Sequence, residues 1–398
     1  LVKDGGQEII DDPVSHALAS GDPIHLADQT ALVSRRGLEI PIQATVAPIR
    51  DRAGQTAGAV IVFSDVSRER RMKRLLSYQA AHDALTGLIN RREFESRLTS
   101  AIESARAAAV VPADRCILHV LPREFMVDEQ DGIQQPIGMS GARLEVDVHI
   151  ITGALTAAQN ITKCVNKAGL DVIDLVLQPL ASSEAVLSPE EREQGVALLD
   201  IGGGTTDLAI FADGSIRHTA MLPIGGQHLS TDLAIGLRTP QNEAERLKVR
   251  HGVAMVEMAM GDDMIEAPGV GDRAARTVSR KFMAQILEPR VEEIFDLVRR
   301  EITRSGYDGM LAAGVVVTGG TSMLEGLVDL AERVLDLPVR RGIPHGVGGL
   351  RDKVEHPKYA TAVGLILHPH RRTHDLEMAG MSTGKGIRRA LRWVQDFF

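Results

Sequence analysis

The feature that most constrains this chain is an apolar strand that runs into three consecutive glycines and leaves them as a second apolar strand. The stretch reads VALLDIGGGTTDLAIF over 196–211, and a turn at 212–214 predicts a third strand after it. Three glycines let backbone N–H groups approach an anion without obstruction by Cβ atoms. Thr205 and Thr206 can add hydroxyl donors, and Asp200 at the strand end could hold Mg²⁺ through water. The pattern therefore predicts a phosphate-binding hairpin.

Other glycine-rich loops fit the sequence less well. A P-loop requires a Gly-Lys-Ser/Thr sequence, which does not follow, and a dinucleotide-binding loop requires a helix where this chain has a strand. A tight hairpin turn that binds no ligand fits the same residues. The hairpin by itself does not decide between that turn and a phosphate site.

Two further segments favour a nucleotide site. Residues 313–322 read AGVVVTGGTS, a second apolar strand that enters a Gly-Gly turn with a helix behind it. A helical stretch over 242–248 lies between the two motifs, and in it Glu245 and Lys248 are three residues apart and share a face. The alternative for this pair is a surface ion pair that contributes little to stability.

Together these segments resemble the nucleotide-binding motifs of the actin, sugar-kinase and heat-shock-chaperone ATPase superfamily. Residues 200–207 resemble its second phosphate motif, 318–322 its adenosine motif, and 242–248 the helix that meets ribose and adenine. The resemblance implies ATP and Mg²⁺ as ligands, Asp200 as the carboxylate that holds the metal through water, and Gln178 as a catalytic residue near the γ-phosphate. The nucleotide contacts that it implies are Asp200, Gly202, Gly203, Gly204, Thr205, Thr206, Gly225, Gly226, Glu245, Lys248, Gly319, Gly320 and Thr321.

Within the superfamily, residues from about 115 to 398 look most like the FtsA family of bacterial cell-division proteins. The phrases that carry this likeness are ILHVLPREF at 117–125, PIGMSGARL at 136–144, LEPRVEEI at 287–294 and YATAVGL at 359–365. The resemblance implies an α/β, actin-like (ribonuclease H-like) ATPase fold. It also implies a self-associating scaffold that recruits the tubulin-like FtsZ and other divisome proteins to the cytoplasmic face of the inner membrane, with the partner surface at about 230–305.

The FtsA likeness is incomplete on its N-terminal side. The first phosphate loop of such proteins, of the Asp-x-Gly-Thr/Ser type, is absent upstream of residue 117. Strands of the first subdomain's sheet are missing with it, which would leave an unpaired sheet edge. We therefore expect weakened or absent ATP binding and no efficient ATP hydrolysis.

The C-terminus predicts a membrane-binding helix over 385–398 (KGIRRALRWVQDFF), after a polar linker over 370–384. Its apolar side chains recur at i, i+4, i+7 and i+11, with arginines on the opposite side, which is typical of helices that lie in a membrane interface. The alternative is a terminal helix packed on the protein's own core. The predicted contacts with anionic lipids are Ile387, Arg388, Arg389, Leu391, Arg392, Trp393, Val394, Phe397 and Phe398.

The N-terminal third resembles other families. Residues 31–64 resemble the last strands of a PAS sensor domain, with a predicted hairpin turn at 51–54, and 67–80 resemble the signalling helix that leaves such domains. Residues 83–94 (DALTGLINRREF) resemble the opening of a GGDEF diguanylate cyclase domain, and a further helix is predicted over 91–109. The cyclase's GTP-holding turn is absent from the sequence. We expect neither cyclic di-GMP synthesis nor a bound haem or flavin.

Composition sets limits on these functions. The chain has 398 residues and a net charge of −8, which does not favour nucleic-acid binding. Two cysteines, Cys116 and Cys164, exclude a disulfide framework. The predicted divisions are a partial PAS-like part at 1–64, a signalling helix and truncated GGDEF start at 65–110, the rest of an inserted SHS2-type subdomain at 111–150, actin-like subdomains at 151–369, the linker at 370–384 and the membrane helix at 385–398.

Three functions remain open from the sequence. The first is an FtsA-like division protein, the second a truncated PAS–GGDEF signalling protein, and the third an ATPase from another branch of the actin superfamily. The junction near 105–116 falls inside both resembling domains. A natural fusion, a rearranged gene and a chimera all fit such a junction.

Overall fold

We describe the fold from a computed structural model of the chain. The chain forms two compact units, Leu1–Glu93 and Phe94–Phe398. The residues that the structure describes are 2–3, 12–26, 30–33, 39–51, 56–84, 87, 89–134, 136, 139, 141, 143–259, 263–271, 273–349 and 351–368. The predicted linker and membrane helix lie outside these residues, as do positions 52–54 of the predicted hairpin turn and parts of the GGDEF-like opening.

The N-terminal unit is an antiparallel sheet with two helices, followed by the start of a third. Its strands are β1 (Val2–Lys3), β2 (Ile24–His25), β3 (Thr30–Val33), β4 (Glu39–Arg50) and β5 (Thr56–Asp65), and its helices are α1 (Pro13–Ser20), α2 (Ser67–Ala81) and the first residues of α3 (Arg91–Ala108). Strand β4 is central and pairs with β2, β3 and β5. Alternate residues of β4, namely Ile42, Ala44 and Val46, are buried, as a half-covered strand requires.

The strands and helices predicted for the N-terminal unit are present in the structure. The predicted hairpin is β4–β5, with pairing from Ile42–Asp65 to Arg50–Thr56. The two predicted helices are α2 and α3. Asp65 accepts a hydrogen bond from the backbone N–H of Ser67 at 2.8 Å, which fixes the start of α2.

The C-terminal unit contains the remaining strands and helices. Its strands are β6 (Arg115–Val127), β7 (Gln130–Ile133), β8 (Leu144–Ala154), β9 (Val196–Ile201), β10 (Thr206–Ala212), β11 (Ser215–Leu222), β12 (Met264–Ala267), β13 (Arg276–Ser279), β14 (Val315–Thr318) and β15 (Val339–Arg341). Its α-helices are α4 (Leu155–Lys167), α5 (Gln178–Val186), α6 (Pro189–Gln194), α7 (Gly226–Leu237), α8 (Gln241–His251), α9 (Arg280–Ser305), α10 (Leu327–Leu335), α11 (Arg351–Val354) and a helical stretch over 360–368.

The main sheet has the order β11-β10-β9-β14-β15, with β9, β10 and β11 antiparallel and β14 and β15 parallel to β9. All residues of β9 and β14 are buried, because helices cover both faces. Leu199 and Val315 belong to the core shared with α7, α9 and α10, whereas Leu198 and Val316 belong to the core shared with α5. Successive side chains of each strand thus enter different cores.

The sheet brings the two glycine motifs together. Thr318, the last residue of β14, pairs with Asp200 near the end of β9 in a parallel ladder. Both glycine turns therefore leave the sheet at the same edge, where ligands of α/β proteins commonly bind.

A smaller sheet with the order β7-β6-β8 precedes the main one. The helix after it, α4, buries none of its residues, and the segment 171–177 has no regular secondary structure. Leu170 and Ile173 are 64% and 80% exposed. This part of the chain therefore presents apolar side chains to solvent.

Candidate nucleotide-binding site

The glycine hairpin between β9 and β10 is attached to the start of α7 through its own carbonyl groups. Gly202 closes the turn by donating its N–H to the Thr205 carbonyl at 2.9 Å. The carbonyls of Gly202 and Gly203 accept from the N–H groups of Gly226 and Gln227 at 2.9 and 2.7 Å. The first N–H groups of α7 are thereby satisfied, as a helix start requires.

Three of the predicted glycines are sterically required. A Cβ on Gly225 would lie 2.8 Å from the carbonyl oxygens of Gly202 and Gly203, and one on Gly226 would lie 2.3 Å from the Thr321 hydroxyl. Gly319 has φ +86°, and a Cβ there would lie 2.5 Å from Asp200 Oδ1. By contrast, a Cβ on Gly203 or Gly204 would meet nothing within 4 Å, so these two residues leave the tip of the hairpin open.

Asp200 is buried and held by two hydroxyl groups. Its Oδ2 accepts from Ser182 Oγ of α5 at 2.6 Å and from Thr361 Oγ1 of the stretch 360–368 at 3.1 Å. The two hydroxyls are 3.0 Å apart. Their positions fix the rotamer of the carboxylate at the end of β9.

A second carboxylate lies beside Asp200. Asp207 pairs with Asp200 across the β9–β10 ladder. Burial raises the pKa of Asp207 to about 6, and the neighbouring Asp200 carboxylate adds to the shift, while a hydrogen bond from the Thr205 hydroxyl opposes it. Two carboxylates thus lie side by side at the base of the hairpin.

Lys248 and Glu245 form a polar network with Ser230 and Gly226, in which Lys248 is buried and Glu245 is half exposed. The Lys248 ammonium donates to the Gly226 carbonyl at 2.8 Å, to Ser230 Oγ at 2.9 Å and to Glu245 Oε2 at 2.7 Å. Ser230 also donates to Glu245. These contacts lower the pKa of Glu245 although its partial burial acts in the opposite direction. All three N–H donors of Lys248 are used.

The threonines of the motifs have different environments. Thr321 donates its hydroxyl to the Gly202 carbonyl at 2.9 Å and so joins the two glycine turns. Thr206 is fully buried and donates to the Ile224 carbonyl at 2.8 Å. Its hydroxyl faces the interior, whereas Thr205 lies at the turn.

A cavity of about 960 Å³ opens between the two glycine turns and α8. Of the predicted nucleotide contacts, the residues that line it are Gly202, Gly203, Gly226, Glu245, Lys248, Gly320 and Thr321. The predicted residues that do not line it are Gln178, Asp200, Gly204, Thr205, Thr206, Gly225 and Gly319. Gln178 begins α5 and is one helical turn from Ser182, which bonds to Asp200.

Several residues of the site escaped the sequence prediction. Ser182, Ser230 and Thr361 hold the predicted residues in place, and His356 and Lys358 line the cavity. Thr361 lies inside the phrase at 359–365 that carried the family resemblance, and Ser182 lies four residues after the predicted Gln178. Their role depends on long-range packing, for which local spacing gives no signal.

Asp200 and Asp207 are the carboxylates at the hairpin that could hold Mg²⁺. No group of three or more potential metal ligands occurs among the described residues. Mg²⁺ usually keeps several waters and takes one or two carboxylates plus phosphate oxygens. Asp200 and Asp207, neighbours across the β9–β10 ladder, suit an ion held in that way.

Comparisons with known proteins decide the family. The family model described as cell division protein FtsA matches residues 197–364, which contain both glycine turns. The FtsA of Pseudomonas aeruginosa is 42% identical over 376 residues, covering 92% of this chain and 89% of that protein. The FtsA of Neisseria meningitidis serogroup B is 43% identical over 336 residues, covering 83% and 80%. This chain belongs to the FtsA family.

Membership of the FtsA family confirms the predicted actin-like α/β fold. The model for the SHS2 domain inserted in FtsA matches residues 90–152, and a PAS fold model matches 1–71, in agreement with the predicted PAS-like part. The GGDEF resemblance over 83–94 stays a prediction. Similar solved structures include MreB5 of Spiroplasma citri bound to AMPPNP, at 18% identity, 56% and 67% coverage and a TM-score of 0.46. The PilM–PilN pilus biogenesis complex matches at 15% identity, 82% and 95% coverage and a TM-score of 0.49.

Proposed function

We propose that this FtsA-family chain is a membrane-bound scaffold of the divisome that tethers FtsZ and whose cleft binds adenine nucleotide weakly. The observation that carries the nucleotide part is the Glu245–Lys248–Ser230 network, which lines a cavity between two glycine turns. A buried network of this kind presents fixed hydroxyl and carboxylate groups to a ribose or base without further ordering. Asp200 would hold Mg²⁺ through water beside the phosphates.

Weak binding is the expected consequence of a one-sided phosphate clamp. The hairpin at 202–205 supplies one lip, and the sequence upstream of residue 117 supplies no second loop of the Asp-x-Gly-Thr/Ser type. Gln178 would position water at the γ-phosphate only if that phosphate were held from both sides. The proposal therefore includes ATP binding without efficient hydrolysis.

Isothermal titration calorimetry tests the nucleotide part. We expect ATP with Mg²⁺ to bind with a dissociation constant above about 100 μM, which corresponds to roughly 5 kcal/mol. Glu245→Ala should abolish this binding, whereas Glu266→Ala, an exposed residue of β12 outside this cavity, should not change it. Micromolar, Mg²⁺-dependent affinity with steady turnover would contradict the proposed impairment.

The membrane part rests on the sequence of 385–398. Five or six large apolar side chains contribute roughly 8–12 kcal/mol before ordering costs, at about 1.5–3 kcal/mol each. Three arginines add attraction to anionic lipids. Self-association of protomers would join several such helices and strengthen binding further. Among the described residues, no helix is long and apolar enough to cross a bilayer.

Flotation with anionic vesicles tests this part. Wild-type protein should float with the vesicles and carry added FtsZ with it, whereas a Trp393/Phe397/Phe398 triple Ala variant should remain at the bottom with FtsZ. Phe282→Ala, which removes an exposed aromatic side chain from α9, is the matched control and should float normally. Flotation of the triple variant would refute the membrane helix, and vesicle-bound protein that leaves FtsZ behind would refute the tether.

A further inference from the structure

Helix α2 of the N-terminal unit is exposed along most of its length. It buries none of its residues, and every residue from 71 to 80 is exposed. It nevertheless carries large apolar side chains, since Met72, Leu75 and Leu76 are 50%, 52% and 58% exposed. On a surface helix such side chains normally face the core of their own unit. At least half of each of these three is instead open to solvent.

The apolar side chains of α2 share one face, and basic side chains flank it. At 100° per residue, Met72, Leu75 and Leu76 fall within an arc of about 100°. Arg71 and Lys73 lie on either side of that arc. Arginine and lysine make up five of the fifteen residues of α2, which contains a single Glu. This arrangement is typical of helices that lie in a membrane interface, because long basic side chains can reach the headgroups while the apolar face enters the acyl region.

The start of α2 is fixed on the sheet. The Val66 N–H donates to the Pro41 carbonyl of β4 at 3.0 Å, and Asp65 accepts from the Ser67 N–H at 2.8 Å. Strand β5, which leads into α2, adds exposed apolar side chains, since Val62 and Phe63 are 64% and 56% exposed. The helix is therefore formed before it meets a partner, and binding does not have to include the cost of folding it.

The charge of α2 favours one kind of partner. Pairing with a second copy of α2 would bring two basic helices together, which like-charge repulsion opposes. A surface that is anionic outside and apolar beneath suits both the basic flanks and the apolar face, and a bilayer with anionic phospholipids has that construction. An acidic protein would match the charge as well. The bilayer is favoured because the proposed C-terminal helix holds the whole chain at such a surface, where the local concentration of lipid is high.

We propose that α2 is a second membrane-contacting helix, which lies in the interface of an anionic phospholipid bilayer through the face of Met72, Leu75 and Leu76. The inference rests on the proposed tethering of the chain by residues 385–398. A single weak membrane contact gives only marginal binding, whereas two contacts together give stable anchoring. Helix α2 alone therefore does not hold the chain on vesicles, and it strengthens the binding of a chain that is already tethered.

A fluorescent label on α2 tests the contact in the full chain. Both native cysteines, Cys116 and Cys164, are replaced by Ser, and an environment-sensitive dye is attached at Leu75→Cys. Vesicles of phosphatidylethanolamine and phosphatidylglycerol should raise and blue-shift the emission, and a brominated lipid should quench it. The same dye at Ser77→Cys is the matched control, because Ser77 is exposed on the opposite side of α2 and should respond little.

Neutralising the flanks of α2 tests the charge. The triple variant Arg71→Gln, Lys73→Gln and Arg74→Gln should bind the same vesicles about tenfold more weakly than wild type. The matched control removes three exposed lysines elsewhere, in the variant Lys163→Gln, Lys167→Gln and Lys281→Gln, and should bind like wild type. Flotation over a range of lipid concentrations measures both affinities.

The outcomes separate this inference from the proposed tether. If the protein floats while the dyes at positions 75 and 77 respond equally or not at all, the inference fails and the tether stands. If the protein does not float, both fail. Emission that changes with protein concentration in the absence of vesicles would show α2 pairing with a second copy instead. Equal vesicle affinity of wild type and the α2 charge variant would assign the basic side chains to a partner other than lipid.

Discussion

At the scale of single residues, the cleft depends on positions where a side chain would collide with a fixed oxygen atom. Gly319 combines a left-handed backbone conformation with close approach to Asp200 Oδ1 and to the Ile201 carbonyl. An L-residue there is strained by its φ as well as by the contact. Gly203 and Gly204 at the hairpin tip face open space. A side chain there would obstruct a ligand but would hardly disturb the fold.

Gly319→Ala should lower the free energy of unfolding by about 2–3 kcal/mol, the sum of left-handed strain and overpacking. Urea unfolding followed by circular dichroism measures this change. Gly309→Ala is the control, because its Cβ meets nothing within 4 Å and its φ is not positive, so a change within about 0.5 kcal/mol is expected. Equal unfolding midpoints for the two variants would contradict the steric argument.

Lys248→Met should cost about 2–3 kcal/mol of stability, because it leaves the Gly226 carbonyl, Ser230 and Glu245 without their donor. Glu245 is half exposed, so water compensates part of the loss there. In a double-mutant cycle with Glu245→Gln, we expect a coupling energy of about 1 kcal/mol. Additive effects would show that the two side chains stabilise the protein independently.

At the scale of elements, the sequence predicted the strands and turns well and the network poorly. The hairpin β9–β10 could be predicted because two β-rich runs separated by three glycines are compatible with few structures other than a hairpin. Asp200 was predicted from its place at a strand end. Its partners Ser182 and Thr361 were not, because they come from helices far away in the chain that meet only after packing. Ser230 and Gly226 were likewise not predicted as partners of Lys248, because they belong to α7.

The junction between β11 and α9 carries a pH-dependent contribution to stability. Glu301 of α9 bonds to Arg304 at 2.6 and 2.9 Å and to His218 of β11 at 2.8 Å. These hydrogen bonds, that from Arg304 first, hold the pKa of Glu301 below its ordinary value of 4.5. A carboxylate with a depressed pKa in the folded state stabilises the protein above its unfolded-state pKa, and that stabilisation is lost as the pH falls below about 4.5.

Glu301→Gln should therefore be less stable than wild type at pH 7, and the difference should shrink as the pH falls from about 4.5 toward 3. Urea midpoints measured from pH 3 to 7 report this directly. Glu266→Gln, on the exposed edge hairpin β12–β13, should show no comparable dependence. A constant difference between Glu301→Gln and wild type at every pH would rule out the ionised contact as its source.

At the scale of the whole molecule, the two units differ in the size of their cores. The large apolar clusters all lie in the C-terminal unit, among the described residues, and include Phe295, Leu198 and Leu199. In the N-terminal unit, the helix α2 buries none of its residues. The buried apolar residues described there are Ala17, Ala31, Ile42, Ala44 and Val46. Small cores of this kind give marginal stability.

We expect two unfolding transitions, with the N-terminal unit unfolding at the lower urea concentration. Ile42→Ala should shift only the first transition, by about 2–4 kcal/mol, and Phe295→Ala should shift only the second, by about 3–5 kcal/mol. Hydrogen exchange with mass spectrometry assigns each transition to its residues. A single transition shifted by both substitutions would show that the two units unfold together.

The parallel pairing of β9 with β14 also determines when the cleft can form. The two strands are separated by α7, α8, α9 and more than a quarter of the chain, so their contact is among the most distant in sequence. The antiparallel hairpin β9–β10 is local and can form within microseconds of leaving the ribosome. The cleft beside its glycine turn cannot form until β14 has been synthesised, which takes seconds more at about 5–20 residues per second. Until that strand arrives, the buried runs of β9 have no neighbour on one side, and this interval is when the nascent protein is most exposed to aggregation and most in need of a chaperone.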